Sequence, residues 1–190
     1  MRRGFKTEAE RLADRTRAEL GLEPYAHMSI RDLATHLNIK IYPADHLVDR
    51  ADLEELDELQ HGAFSAATFH LPGGRTVIVC NPLSEIGRTN SDIAHEIAHV
   101  LLNHEVREIQ QLAGHTFFTC NPEQEEEANW LAGCLLLPRP LLLREAYAAS
   151  TPDVIAAKHH VSVPMARYRL NASGVLLQVQ RSRPRRSSRQ

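Results

Sequence analysis

Five residues carry the clearest chemistry in this chain: His95-Glu96-Ile97-Ala98-His99. Side chains four apart on a helix lie over one another on one face, so both imidazoles can reach a single cation, with Glu96 beside them. At about 100° per residue, Asp92, His95, Glu96, His99 and Asn103 share one sector. Ile93, Ala94, Ile97, Ala98, Val100, Leu101 and Leu102 fill nearly all the rest. A helix so apolar is buried, and a polar strip on a buried helix must face a cavity or a partner. Two core histidines bonded to backbone carbonyls are the bland alternative, and the strip argues against it. His104 points roughly opposite to His95 in this helical projection and is expected to be a helix-terminal residue rather than a ligand.

A catalytic zinc commonly takes three protein ligands and leaves one position open. The third is expected downstream, in the cluster Glu123, Glu125, Glu126 and Glu127. Glu125 shares its helical sector with Asn129, Ala132 and Leu136, next to the apolar side formed by Ala128, Leu131 and Leu135. Glu127 falls with Trp130 and Cys134 on another face, and Glu126 lies between. Phase therefore favours Glu125, with Glu126 and Glu127 as the alternatives; those not used would be a solvated, dipole-favoured helix start. Small Ala128 and Ala132 allow close approach to the His95 helix, and Asn129 is placed to orient a ligand from behind.

Several elements must position these groups. Helices are expected over residues 6–20 and from Ser29 to Leu37, and a strand over 38–42 ends at Pro43. Residues 45–60 are acidic, a loop or short helix. Strand-like runs 63–70 and 75–80 flank Leu71-Pro72-Gly73-Gly74, a hairpin turn. A helix over 90–104 carries the histidines. Another opens at Asn121-Pro122, with Asn as N-cap and Pro in the first turn, and stops at Pro138. Three short helices follow over 141–149, 151–159 and 162–170. The fold class is α+β: a single zincin-like domain with a small antiparallel sheet beside a helical body that carries the HExxH.

With 190 residues, 43% of them hydrophobic, the chain suffices for one well-packed domain. A formal charge of -2 counts against a dedicated nucleic-acid binder. The last ten residues hold five arginines and no acid, so residues 181–190 read as a disordered basic tail after a domain spanning 1–180, whose helical C-terminal part covers about 139–172. Cys80, Cys120 and Cys134 form no CxxC and no disulfide framework. With no signal core and no stretch long enough to cross a membrane, the expected location is cytoplasmic.

The motifs together resemble those of the ImmA/IrrE family of metallo-endopeptidases. Arg2 to Glu10 is similar to that family's frequent opening, Arg88 stands seven residues before His95, and His95 to His104 resembles its metal helix. Glu125-Glu126-Glu127-Ala128-Asn129-Trp130-Leu131-Ala132, followed by Leu135-Leu136-Leu137-Pro138, resembles its second signature, ExEANxxA with a closing LLxP. The resemblance implies a zinc endopeptidase, with zinc or manganese held by His95, His99 and Glu125 and Glu96 as the base that takes a proton from water and passes it to the leaving amine. It also implies the substrate, a helix-turn-helix repressor encoded nearby, whose cleavage releases stress or mobile-element genes. For the oxyanion, His115, Tyr168 and Arg88 are candidates without a signal to choose among them. Chain order puts strand 63–70 alongside the cleft, where it could pair with an extended substrate. Residues 155–170 have a helix-turn-helix look, so the rival reading is a non-catalytic regulatory module that binds DNA through Arg167, Arg169 and the tail, or sequesters a repressor.

Overall fold

A computed structural model describes residues 1–104, the backbone of 109–112 and 115–118, and residues 121–182. Helix α1 (Phe5–Glu19) and the Ser29-capped α2 (Ile30–His36) lead into strand β1 (Ile39–Pro43). A turn of 3-10 helix at Ala44–His46 and helix α3 (Arg50–Leu59) then precede the hairpin β2 (Ala66–Leu71) and β3 (Arg75–Cys80). Next come α4 (Ile86–Leu101), two short strands β4 (Ile109–Leu112) and β5 (His115–Phe118), and α5 (Pro122–Leu136). The chain continues through α6 (Arg139–Tyr147), α7 (Pro152–His159), α8 (Val163–Ala172) and α9 (Val175–Ser182).

The fold is α+β, with one correction to the expected sheet: it is mixed, not antiparallel. β2 and β3 form the expected antiparallel hairpin, but β1 joins the other edge of β3 in parallel, giving the order β1-β3-β2. A parallel neighbour requires a crossover, and here it runs through α3 and β2, a long-range pairing that strand periodicity does not encode. β4 and β5 make a separate antiparallel pair that no motif signalled. Helix α9 was likewise not foreseen; it carries Arg181 and Ser182, while the remainder of the basic tail lies outside the described residues.

The core lies where α4 and α5 press together. Ala94, Ile97 and Ala98 on one side and Ala128, Leu131 and Ala132 on the other are fully buried, and the alanines let the two backbones approach closely. Two buried arginines hold the far end of α5. Arg17 of α1 donates to the Leu135 carbonyl at 2.7 Å, and Arg169 of α8 donates to that of Leu137 and to the Glu10 carboxylate. These carbonyls are the ones a helix C-terminus leaves without intrahelical partners. Gly133 makes room for Arg169: a Cβ there would stand 2.3 Å from Arg169 Cδ. At the near end Asn121 accepts from the Glu123 amide and Pro122 occupies the first turn, as expected. With both ends fixed, the face of α5 that bears Glu125 is fixed too.

Helix α4 starts four residues earlier than the periodicity implied. Gly87 weakened the helical signal there, but it serves packing: a Cβ would lie 2.6 Å from the Val161 carbonyl. At this contact the Ser162 amide donates to Ser91 Oγ at 2.9 Å and Asn90 donates to the His160 carbonyl at 3.0 Å. The α7–α8 turn is thereby docked on α4. Among the described residues no helix is long and apolar enough to cross a membrane. Cys80 and Cys134 are buried thiols, pushed above their ordinary pKa by desolvation; Cys120 lies outside the described residues.

Candidate metal centre and its cleft

The polar strip of α4 faces a cleft of about 540 Å³ whose lining includes His95, Glu96, Glu125, Asn129 and, from α8, Met165 and Tyr168. His95 Nε2 stands 3.0 Å from His99 Nε2 and 3.1 Å from Glu125 Oε2, and His99 Nε2 lies 3.6 Å from Glu125 Oε1. Among the described residues these three are the group whose donor atoms converge as a metal set would, all within 4.8 Å of one another.

The spacing fits a small divalent ion. Ligands about 2.0–2.1 Å from a tetrahedral zinc stand roughly 3.3–3.4 Å apart, between the shortest and longest separations here. Two imidazole nitrogens and one carboxylate oxygen are also the ligand types of a catalytic zinc site. Glu125 is the glutamate that the fold brings to the imidazole pair. Glu123 and Glu126 are more than half exposed.

His95 and Glu96 are each held by a neighbouring side chain. His95 Nδ1–H donates to Asn129 Oδ1 at 3.1 Å, which leaves the Nε2 lone pair for the cluster. Glu96 is only 6% exposed and accepts from Thr68 Oγ1 at 2.7 Å. Thr68 belongs to β2, where it pairs across with Ile78 on the face turned to α4. No sequence pattern pointed to Thr68, because its partner lies 28 positions away on another element.

Two expectations require correction. His104 does not point away from the cluster. Asn103 adopts φ 51°, a left-handed conformation that Asn tolerates better than most residues. The Asn103 amide then bonds to the Val100 carbonyl and the His104 amide to that of His99, at 3.1 and 3.0 Å, the Schellman closure of a helix end. The chain folds back, and His104 Nδ1 comes to 3.0 Å from His99 Nδ1. A straight helical projection cannot foresee this, since the helix stops before His104. Nor is Glu127 solvated: it is 8% exposed, with Oε2 3.6 Å from His104 Nε2.

Electrostatics in the cleft are mixed. Burial pushes the Asp92 carboxyl up, opposed by the Arg88 guanidinium whose Nε donates to it at 2.8 Å. Burial likewise raises the Tyr168 phenol, whose ring meets Trp130 edge-on at 6.0 Å. Burial lowers the His104 imidazole, with Glu127 pulling the other way. Of the three oxyanion candidates, Arg88 and Tyr168 line the cleft; the His115 side chain lies outside the described residues. Arg169, one of the cations that would have met DNA in the rival reading, has no solvent exposure.

A family model described as the IrrE N-terminal-like domain, peptidase M78, matches residues 37–171, from the residue after α2 into the last turn of α8. Comparison with curated proteins finds no match.

Proposed function

The chain belongs to the IrrE N-terminal-like family of M78 peptidases, and from that membership we propose that it is a metal-dependent endopeptidase whose ion is held by His95, His99 and Glu125 and whose base is Glu96. The observation that carries this reading is the convergence of two Nε2 atoms and a carboxylate at 3.0–3.6 Å in a cleft that also holds a buried glutamate. When bound, zinc (or manganese) supplies Lewis-acid polarisation of a peptide carbonyl and a lowered pKa for water.

The protein's own groups do the rest. Asn129 fixes the His95 ring and its tautomer. Thr68 donates to one oxygen of Glu96, and the carboxylate, which lines the cleft, would accept a proton from water and return it to the leaving amine. β2 is an edge strand in the order β1-β3-β2 and carries Thr68. An extended peptide adding to that edge would run past Glu96, with backbone hydrogen bonds holding it. Met165 and Tyr168 offer an apolar wall opposite, for side chains of the substrate.

The substrate proposed is a helix-turn-helix repressor encoded near this protein's gene, cut in the cytoplasm to release stress or mobile-element genes. This rests on the family resemblance. Against the DNA-binding alternative stand the docking of the α7–α8 turn on α4 and the burial of Arg169. Co-expression with the neighbouring repressor, with and without Glu96→Gln, tests the reading. Wild type should yield repressor fragments by mass spectrometry, and Glu96→Gln should retain its metal and leave the repressor whole. Fragments at the same rate from both would sink the role given to Glu96.

A further inference from the structure

The two faces of the three-stranded sheet are finished differently. On the face turned to α4, Ala66 and Ile78 are buried in the main core and Thr68 donates to Glu96. Side chains alternate along a strand, so Ala67, Phe69 and Leu71 stand on the other face of β2. That face carries a second, smaller core, in which Ala44, Leu53 and Val79 are buried and Val77 packs against them. Phe69 pairs across with Val77 and extends this core to the edge of the sheet. There the core is left open: Phe69 is 49% exposed and Leu71 39%. The strand, Ala66-Ala67-Thr68-Phe69-His70-Leu71, also has no lysine, arginine, acid or proline, the residues that ordinarily discourage pairing at a free edge.

We propose that Phe69 and Leu71 are specificity-determining residues, an apolar shelf on the outer face of β2 that selects substrate segments with apolar side chains at alternate positions. The occupant is the extended peptide whose intervening side chains enter the cleft. Register carries the argument. A peptide added at this edge puts each residue on the same face as the β2 residue opposite it, whichever way the peptide runs. The residue opposite Thr68 therefore turns its side chain towards Glu96 and the cleft. The next residue, opposite Phe69, turns its side chain to the outer face, and the one opposite Leu71 does so again two positions on. Shelf and cleft thus read one segment from its two faces. An apolar side chain laid over Phe69 lengthens the row that Val77 begins and takes apolar surface of both partners out of water. A polar one gains nothing there. On the other side of Thr68, Ala67 offers only a methyl group, so the preference is one-sided.

This inference rests on the peptidase reading above, and one experiment separates the two. The zinc-loaded full chain is given a library of peptides from a proteome digest, and cuts are mapped by mass spectrometry. Only cuts absent with Glu96→Gln are counted. Wild type should enrich apolar residues at two positions two apart, on one side of the residue that enters the cleft. For matched peptides with Leu or Ser at the position opposite Phe69, kcat/KM should favour Leu by roughly tenfold, the low end for an apolar contact in a closed pocket. Phe69→Thr should bring that ratio close to unity, and Leu71→Thr should flatten the preference at the second position alone. A ratio measured within one variant is blind to how much of the chain is folded, so a merely structural role would not move it. If wild type makes no cut that depends on Glu96, the peptidase reading falls and the shelf with it. If wild type cuts without the alternating preference, or Phe69→Thr keeps the wild-type ratio, the shelf alone is wrong. Light scattering tests a second copy of the chain as the occupant: a dimer that Phe69→Thr dissolves would overturn the proposal. Should Phe69→Thr fail to fold, the wild-type profile and Leu71→Thr decide.

Discussion

Gly87→Ala sets two physical terms against each other. Intrinsic helix propensity favours alanine over glycine by at most about 1 kcal/mol, so from α4 alone the substitution should stabilise. The structure argues the reverse. The new Cβ would stand 2.6 Å from the Val161 carbonyl oxygen, a backbone atom, where ordinary contact begins at 3.4 Å. The α7–α8 turn must then retreat by most of an ångström. Overpacking of this kind costs about 1–3 kcal/mol, and retreat stretches the bond from the Ser162 amide to Ser91 Oγ, adding about 1 kcal/mol. The net is a destabilisation of about 1–3 kcal/mol. Urea unfolding of the metal-free chain reads it directly: the midpoint should fall by roughly 1 M for a slope of about 1–3 kcal/mol per molar. An unchanged or raised midpoint would refute the argument that Gly87 exists to admit the turn that walls the cleft.

Further outcomes follow from other contacts. Asn129→Ala removes the acceptor that sets the His95 tautomer, and zinc affinity should fall roughly 10–100-fold with little change in metal-free stability; chelator competition checks it. Glu145 is buried, which opposes its ionisation, yet hydrogen bonds from Lys158, Ser150 and His159 bring its pKa down to about 2. Its stabilising contribution is thus complete above the unfolded carboxylate pKa near 4.5 and lost as pH falls towards 2. The stability gap between wild type and Glu145→Gln in urea should therefore be widest near neutral pH and close below about pH 4; a gap independent of pH would refute it. The Cys80 and Cys134 thiols, buried and held protonated, should react with a thiol reagent only on the timescale of unfolding; fast modification of either of these two residues in the native chain, located by peptide mass spectrometry, would contradict their burial.

Much of the site was legible because its signals are local. The polar strip of α4 and the inward phase of Glu125 are properties of single helices, and caps at Asn121, Thr151 and Ser162 announced where helices begin. What escaped was long-range or depended on where a helix stops. Thr68 reaches Glu96 from a strand, and β1 finds β3 across an intervening helix and strand. His104 was misplaced because a regular helix was extended through Asn103, and Glu127 because a run of acids near a helix start is ordinarily solvated. The start of α4 was missed for the reason that makes Gly87 informative: its value lies in another segment's backbone.

The most direct test of the metal centre is a zinc titration of the full chain alongside Glu125→Gln and Glu126→Gln. Wild type should take up one ion, Glu126→Gln should match it, and Glu125→Gln should lose more affinity than the roughly 10–100-fold typical of an outer partner. Equal binding by wild type and Glu125→Gln, or a loss confined to Glu126→Gln, would contradict the assignment.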